Sequence, residues 1–325
     1  MTKTRVAVLR GGPSSEHDIS MQTGLGVLTA LNELDFFTKD IIISKKGEWL
    51  SHGFVRSPYQ VLADIDVVII ALHGVYGEDG GVQRLLEKIK VPYTGSGPMS
   101  SSVAMNKTLT KNTLKNFGFK LPKHMRLTQT GVANVHRTAQ SISELFGPQY
   151  IIKPENGGSS IGTLFVENGA DLAKAIAQAL AEHEAILVEE RIIGKEATVG
   201  VLEKFRGDTL YVLPPIEIVP PQGSTFFSAD VKYTGATDEI CPGRFSQNEK
   251  KELTRLAQLA HQHLQLSHYS RSDFIVNEDG IYFLEVNTLP GLTEQSLFPK
   301  SITAVGSTYN ELISHLITMA LDTKR

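Results

Sequence analysis

The sequence has little cysteine, no long apolar run and no excess of charge of either sign. Its single cysteine, Cys241, excludes a disulfide within the chain and fits a reducing compartment. The longest strongly apolar run, 67–72, is far too short to span a membrane, and no apolar signal-peptide core precedes the first predicted strand. Lysine and arginine total 32 against 35 acidic residues and are dispersed, which argues against a nucleic-acid surface. We therefore expect a cytoplasmic protein that binds neither membranes nor nucleic acid.

The rest of the composition describes an ordinary globular protein with room for several cores. Hydrophobic residues make up 41% and charged residues 21% of the 325 residues, and the formal net charge is −3. At roughly 100–200 residues per domain, this length predicts two or three domains.

The first hundred residues alternate short strands with helices. We predict strands at 6–9, 40–44 and 66–72 and helices at 19–34 and 81–89. This order is typical of a parallel sheet covered on both faces, in which ligands bind beyond the carboxyl ends of the strands. Two loops lie at such ends, and their polar side chains are Glu16, Ser20, His73 and Glu78. Taken singly, each of the four is more often a helix cap or a solvated loop residue.

A glycine- and serine-rich loop, 154–162, separates two predicted strands in the middle of the chain. It exposes successive backbone N–H groups, which suit phosphate oxygens, and Lys153 supplies a point charge at the end of the preceding strand. A plain hairpin turn is the alternative. Around this loop we predict helices at 99–106, 107–117 and 170–183, strands at 123–127, 150–153, 163–166 and 185–189, and a polar stretch without an assigned element up to 143.

Two short segments match known functional motifs, but the predicted secondary structure around each segment argues against that function. Gly24 and Gly26 superficially match a dinucleotide fingerprint, but they lie inside a predicted helix and the third glycine is missing. The segment 158–162, GSSIG, matches the nucleophile elbow of hydrolases. That elbow requires a helix directly after the serine, whereas a strand is predicted here. A serine hydrolase is therefore only a remote alternative.

The final third contains a long stretch without periodicity, 222–243. A loop of that length in a compact enzyme is commonly a lid or a disordered insert. Its lysine and tyrosine, Lys232 and Tyr233, have the reach to contact phosphate and substrate. Around it we predict strands at 198–202 and 209–219 and helices at 247–266 and 308–321.

A hairpin with one polar face organises the site. The predicted strands 269–276 and 281–286 are joined by a tight turn that ends in Asp-Gly. Alternation places four polar side chains on one face, namely Arg271, Asp273, Glu285 and Asn287. The side-chain oxygens of Asp273, Glu285 and Asn287 are ligands that Mg²⁺ prefers. The neighbouring Arg271 is suited to stabilise negative charge on a reacting oxygen. The alternative is that this face is simply the solvated one.

Eight segments in order resemble the D-alanine–D-alanine ligase family of the ATP-grasp superfamily, over essentially the whole chain. They are GGPSSEHDIS, ALHGVYGEDG, PYTGSGPMSSSVAMNK, IIKPENGGSSIG, VEERIIGKEATVGVL, VKYTG, RSDFIV and LEVNTLPGLTEQSLFP. The resemblance implies an α/β fold, α+β in part, with three domains. These are an N-terminal parallel-sheet substrate domain at 1–103, a central ATP-grasp subdomain at 104–196 and a C-terminal ATP-grasp subdomain at 197–325, whose lid loop is 222–243.

The resemblance also implies roles for individual residues. The nucleotide would be held by Lys107, Lys153, Ser159, Ser160, Glu189, Glu190, Ile192, Glu196 and Lys232. Magnesium, as two ions with Mn²⁺ as a substitute, would be bound by Asp273, Glu285 and Asn287. The first D-alanine would be oriented by Glu16, Ser159 and Tyr233, the second received by Ser296 and Leu297 with His73 nearby, and the tetrahedral intermediate steadied by Arg271 and the Gly291 amide. The chain departs from the family pattern at Glu190, where a lysine is common, and just before Lys232.

The implied activity is ATP-dependent joining of two D-alanine molecules through a D-alanyl phosphate, as a step towards peptidoglycan. The implied partners are D-alanine, ATP and a second copy of the chain in a homodimer. Tyr233 goes with dipeptide formation in the resembling family. A D-alanine–D-lactate or D-alanine–D-serine ligase is the nearest alternative, and a catalytically silent ATP-binding relative is a more distant one.

Overall fold

The computed structural model describes residues 3–158, 161–221 and 237–323. Within the first of these ranges, five strands form the N-terminal sheet in the spatial order β4-β3-β2-β1-β5. They are β1 (Arg5–Gly11), β2 (Phe37–Ile43), β3 (Trp49–Ser51), β4 (Phe54–Val55) and β5 (Val67–Ile70). The predicted parallel sheet is confirmed for β1, β2 and β5. The antiparallel pair β3 and β4, which was not predicted, extends one edge.

Helices from both ends of the chain cover this N-terminal sheet. They are α1 (His17–Glu33), α2 (Pro58–Leu62), α3 (Gly81–Ile89) and α10 (Tyr309–Asp322). The last of them contributes Leu312 and Leu316 to the core that also contains Val8 of β1, and its Asn310 side chain donates to the Glu33 carboxylate at 2.8 Å. The predicted helices 19–34, 81–89 and 308–321 are therefore confirmed within a few residues.

Four antiparallel strands within residues 3–158 and 161–221 form the central sheet, in the order β6-β9-β7-β8. They are β6 (His124–Thr128), β7 (Tyr150–Pro154), β8 (Leu164–Val166) and β9 (Ala185–Glu190). Helices α6 (Val135–Leu145) and α7 (Leu172–Glu182) pack on it through a common apolar core. The first of these helices lies in the polar stretch for which no element was predicted. Its start is marked by Asn134, whose side chain accepts from the Arg137 N–H at 3.0 Å.

The C-terminal sheet, counted over residues 161–221 and 237–323, has the order β13-β12-β10-β14-β15, with β11 paired to β10. Its strands are β10 (Lys195–Glu203), β11 (Leu210–Val212), β12 (Ile216–Val219), β13 (Asp238–Ile240), β14 (Tyr269–Asn277) and β15 (Gly280–Asn287). Strand β13 lies inside the predicted lid loop 222–243, whose residues 222–236 are outside the described ranges. Three helices share the core of this sheet, and they are α4 (Pro98–Met105), α5 (Lys107–Leu114) and α8 (Gln247–His263).

A short helix, α9 (Leu297–Ala304), follows β15 and was not predicted. Its first turn carries Leu297 and Phe298, which are buried. In the described residues, no helix combines the length and apolar character needed to cross a bilayer.

Candidate active site

The predicted polar face of the hairpin is confirmed by the register of β14 and β15, which pairs Arg271 with Asn287 and Asp273 with Glu285. The Arg271 guanidinium donates to both oxygens of Asp273 at 3.0 Å. Asn287 Nδ2 donates to the same carboxylate at 3.2 Å, and so does the Thr198 hydroxyl from β10 at 2.5 Å. Asp273 therefore accepts hydrogen bonds from three side chains.

A register shift between Asp273 and Phe274 lets two consecutive residues of β15 line the same cleft. Beyond the shift, Phe274 pairs with Phe283, and their rings pack edge to face in the core at 5.7 Å between centroids. Leu284 is then the unpaired residue, and both it and Glu285 line the cleft. The bulge thus adds an apolar side chain to a face that alternation alone would make entirely polar.

The opposite wall of the cleft is built on a buried carboxylate held by two lysines. Glu189 of β9 lies 2.8 Å from Nζ of Lys153, on β7, and 3.0 Å from Nζ of Lys111, on α5. Burial alone would raise the pKa of the Glu189 carboxyl, but the two ammonium groups outweigh it and lower that pKa to about 2. Burial also lowers the pKa of Lys111 to about 8. Lys153 is thus held at this wall of the cleft by a partner that is charged at neutral pH.

Lys107, at the start of α5, connects the two walls. Its Nζ lies 3.4 Å from Oε2 of Glu285 on the hairpin, and it donates to the carbonyl oxygen of Gly157 in the glycine- and serine-rich loop. The lysine is 7% exposed. Two of the predicted nucleotide-binding lysines and the predicted metal ligands therefore meet in one place.

The cleft between the central and C-terminal sheets has a volume of ≈ 410 Å³. Apolar side chains line it, and they come from the two sheets (Ile151, Ile275 and Leu284), from the segment between β9 and β10 (Ile192) and from the start of α9 (Leu297). The predicted nucleotide ligands Glu190 and Glu196 lie along it as well. The Glu190 carboxylate accepts from the Lys123 backbone N–H at 2.9 Å. This glutamate, at a position where the family commonly has lysine, thus ties β9 to the start of β6.

The N-terminal loops reach the same region through Glu16 and His73. A Cβ added to Gly74 would lie 2.7 Å from Oε2 of Glu16, and one added to Gly158 would lie 3.4 Å from the same atom. The Glu16 carboxylate, which is buried, therefore sits where the two glycine-containing loops meet. The N-terminal loop that carries Glu16 is tied to the loop of Gly74 by the Ser14 hydroxyl, which donates to the His73 carbonyl oxygen at 2.7 Å.

The turn after β15 brings Gly291 against Ser296. A Cβ at Gly291 would lie 2.8 Å from the Ser296 hydroxyl oxygen, which also lies 2.7 Å from the Thr293 hydroxyl. Ser296 is the residue before α9, and Leu297 begins that helix. A helix start with free N–H groups suits a carboxylate.

Most of the predicted site residues that the structure describes line the cleft. Asn287 contacts Asp273, and His73 contacts the turn that carries Gly291. Four of the predicted residues, Ser159, Ser160, Lys232 and Tyr233, lie outside the described residues. Sequence reasoning missed Lys111, although its spacing of four from Lys107 on one helix places both on the same face. It also missed Thr198, for which β10 gave no signal beyond its strand pattern.

The loop 154–162 does not have the context of a nucleophile elbow. Strand β8 follows it and pairs antiparallel with β7, Tyr150 opposite Val166. A strand therefore stands where an elbow needs a helix.

Comparison with known proteins matches the chain to D-alanine–D-alanine ligases along nearly its whole length. Two family models match: "D-ala D-ala ligase N-terminus" over residues 54–96 and "D-ala D-ala ligase C-terminus" over residues 113–318. A D-alanine–D-alanine ligase from Syntrophobacter fumaroxidans is 36% identical over 324 residues, which cover 98% of each chain.

Three solved structures resemble the whole chain. D-alanyl-alanine synthetase A from Vibrio cholerae has a TM-score of 0.87 at 29% identity and covers 99% of both chains. The VanG D-Ala:D-Ser ligase from Enterococcus faecalis has a TM-score of 0.83 at 26% identity, covering 98% of this chain and 100% of its own. A D-alanine–D-alanine ligase from Bacillus anthracis in complex with ATP has a TM-score of 0.76 at 27% identity, covering 98% and 97%.

Proposed function

The chain belongs to the D-alanine–D-alanine ligase family, and from this membership and the cleft we propose how it carries out the family reaction. It joins two D-alanine molecules in an ATP-dependent reaction that serves peptidoglycan synthesis. The observation that carries the proposal is the contact of Lys107 with Glu285 across the cleft, at 3.4 Å. This contact brings phosphate-binding cations and metal-binding carboxylates to the same point.

The nucleotide is proposed to lie between the central and C-terminal sheets. Lys107 and Lys153 face its phosphates, and the N–H groups of the loop 154–162 cover them together with Ser159, Ser160 and Lys232. The adenine ring fits the apolar slot beside the Ile192 backbone. Glu196 is assigned to the ribose hydroxyls, with Glu190 at the same end of the cleft, while Glu189 holds Lys153 near the phosphates.

The donor set fits magnesium. Asp273 and Glu285 supply carboxylates and Asn287 an amide oxygen, on one face of the hairpin. Magnesium typically takes one or two carboxylates and completes its shell with phosphate oxygens and water. Among the described residues, no group of three or more histidine, cysteine or acidic side chains forms an all-protein metal cage. We therefore propose that these three residues hold two Mg²⁺ ions, replaceable by Mn²⁺, which when bound neutralise phosphate charge.

The reaction divides into two steps. The carboxylate oxygen of the first D-alanine attacks the γ-phosphorus, forming a C–O–P linkage while the bond to ADP breaks. The amine of the second D-alanine then attacks the acyl carbon, losing a proton as the C–N bond forms and phosphate leaves. Both steps depend mainly on positioning and on charge neutralisation, for which Lys153 and Arg271 supply fixed cations.

Residues from different parts of the chain position the amino acids in this proposal. Glu16, with Ser159 and Tyr233, orients the first D-alanine. The carboxylate of the second lies at the start of α9, beside Ser296, Leu297 and His73. The Gly291 amide and Arg271 then face the oxyanion of the tetrahedral intermediate.

The test is phosphate release by the purified protein with MgATP, with the product identified by mass. The additions compared are D-alanine, L-alanine, D-alanine with D-lactate, D-alanine with D-serine, and no amino acid. Release that needs D-alanine and yields its dipeptide supports the proposal. A mixed product formed in preference to the dipeptide overturns it in favour of the D-lactate or D-serine alternative. ATP binding without turnover indicates a silent relative.

We propose domains at 1–103, 104–196 and 197–325, with the lid at 222–243, a cytoplasmic location, and a homodimer. The homodimer is supported by the exposed apolar side chains at the edge of the N-terminal sheet, where Phe54 is 64% and Val55 57% exposed. Sedimentation of the protein and of a Phe54→Asp variant tests it.

A further inference from the structure

Both sides of the Leu289 backbone are held by the N-terminal loop 73–80. The Leu289 N–H donates to Oε1 of Glu78 at 3.1 Å. Its carbonyl oxygen accepts from Nδ1 of His73 at 3.1 Å. Leu289 follows β15 and precedes Gly291 by two residues. A loop from the start of the chain thus fixes the turn that carries the proposed oxyanion donor.

Both carboxylate oxygens of Glu78 accept backbone hydrogen bonds. Its Oε2 accepts from the Gly74 N–H at 2.9 Å, and the residue is 9% exposed. His73 is also held on both sides, because its Nε2 lies 2.9 Å from the Thr23 hydroxyl. Since the Leu289 carbonyl can only accept, Nδ1 carries the proton, and this contact is the same for neutral and charged His73.

We propose that Glu78 is a positioning residue that holds the Leu289 peptide so that the Gly291 amide stays aligned for the tetrahedral intermediate. The inference rests on the proposed function, because the role of Gly291 is assigned there. A displacement of about 1 Å at a site built on fixed donors can cost about 100-fold in rate. Glu78 spans the gap between two separate segments and needs no contact with substrate.

The hydrogen bonds that Glu78 accepts from Leu289 and Gly74 depend on the ionisation of its carboxyl group. Burial, and secondarily the charge of Glu16, raise the pKa of Glu78 to about 7. The other groups that act on it electrostatically are Arg271, which stays charged, and Tyr269, whose own pKa burial raises. A protonated Glu78 turns one acceptor into a donor opposite an N–H group. Acidification below about pH 7 therefore releases one of its two partners.

A Glu78→Gln variant tests the inference, with Asp79→Asn as the matched control. Asp79 also accepts two backbone N–H groups, from Tyr76 at 2.8 Å in its own loop and from Gly81 at 2.7 Å at the start of α3, so neither contact reaches the turn after β15. We expect kcat for dipeptide formation to fall about 10- to 100-fold in Glu78→Gln at about pH 8, with the KM for ATP changed less than about twofold. Asp79→Asn should lose heat stability, with kcat within about threefold of wild type.

Two further readouts separate positioning from folding. The ratio of wild-type to Glu78→Gln kcat should shrink as the pH falls below about 7, because a protonated Glu78 resembles glutamine. Hydrogen exchange of the Leu289 amide should accelerate in Glu78→Gln and not in Asp79→Asn. Unchanged exchange, unchanged kcat in Glu78→Gln, or equal loss of kcat in both variants overturns the inference. A wild-type protein that makes no dipeptide overturns the proposed function instead, and exchange still reports whether Glu78 holds Leu289.

Discussion

Nζ of Lys111 lies 3.0 Å from Oε1 of Glu189, and the two side chains are 0% and 3% exposed. Such a pair is costly to assemble and more costly to break, because the remaining partner is left as an uncompensated buried charge. The second lysine, Lys153, shares the carboxylate from the cleft side. Glu189 therefore lies between two lysines. Lys111 pairs with it from the buried side, and Lys153 pairs with it on the side that faces the proposed phosphates.

Replacing Lys111 by methionine should lower the free energy of unfolding by about 3 kcal/mol, the lower end of the usual cost of breaking a buried ion pair, because Lys153 still compensates Glu189. Lys115→Met is the control, because Lys115 is exposed just beyond α5 and should change stability by less than about 0.5 kcal/mol. Urea unfolding measures both. The double variant Lys111→Met with Glu189→Gln should regain part of the loss, and a loss that merely adds up would contradict the pairing.

Replacing Asp273 by asparagine should raise the Mg²⁺ concentration needed for ADP release and lower kcat/KM for ATP by about 100- to 1000-fold. The change removes a proposed metal ligand and weakens the acceptor for Arg271. Asp279→Asn, in the exposed turn of the same hairpin, is the control and should match wild type. Chelation by EDTA should stop ADP release in wild type, and excess Mg²⁺ should restore it. An unchanged Mg²⁺ dependence in Asp273→Asn would remove Asp273 from the metal site.

Ionisation of Glu78 should make the protein less stable as the pH rises. Its pKa is about 7 in the folded protein against an ordinary value of 4.5, so the folded state holds more protons between these values, and stability falls with rising pH there. The difference amounts to roughly 3 kcal/mol once both transitions are complete. Urea unfolding between about pH 5 and about pH 8 should show this slope in wild type and a shallower one in Glu78→Gln. Equal slopes would argue against a buried, ionising Glu78.

Replacing Gly24 by alanine should destabilise the N-terminal sheet. An added Cβ would lie 2.5 Å from the side chain of Arg10, which is fixed by Asp40 at 2.6 and 2.8 Å, and overpacking of this kind typically costs about 1–3 kcal/mol. Gly26→Ala is the matched control, since the nearest atom to its added Cβ would be the Tyr309 hydroxyl oxygen at 3.4 Å. It should be neutral or up to about 1 kcal/mol more stable, because alanine favours helix. Thermal unfolding distinguishes the two.

The polar face of the hairpin could be predicted because strand alternation is a local rule. Arg271 and Asp273 are two residues apart, so they must share a face, and a tight turn fixes their partners on β15. The alternation of strand and helix likewise predicted the parallel part of the N-terminal sheet. These features depend on residues close together in the sequence.

What could not be predicted depends on contacts across long separations. The bulge that places Leu284 at the cleft accompanies the packing of Phe274 on Phe283, and no local pattern predicts it. Glu78 looked like an ordinary loop acid, because its partner Leu289 lies more than two hundred positions along the chain. Helix α6 was missed for another reason: its short apolar stripe is interrupted by polar residues, and only the Asn134 cap marked its start.

The packing of α10 against the N-terminal sheet has a consequence for synthesis on the ribosome. Strands β1 and β5 emerge early, but the apolar residues that cover them, such as Leu312 and Leu316, are made almost last. The core of this sheet therefore lacks part of its apolar cover until the end of the chain has left the ribosome.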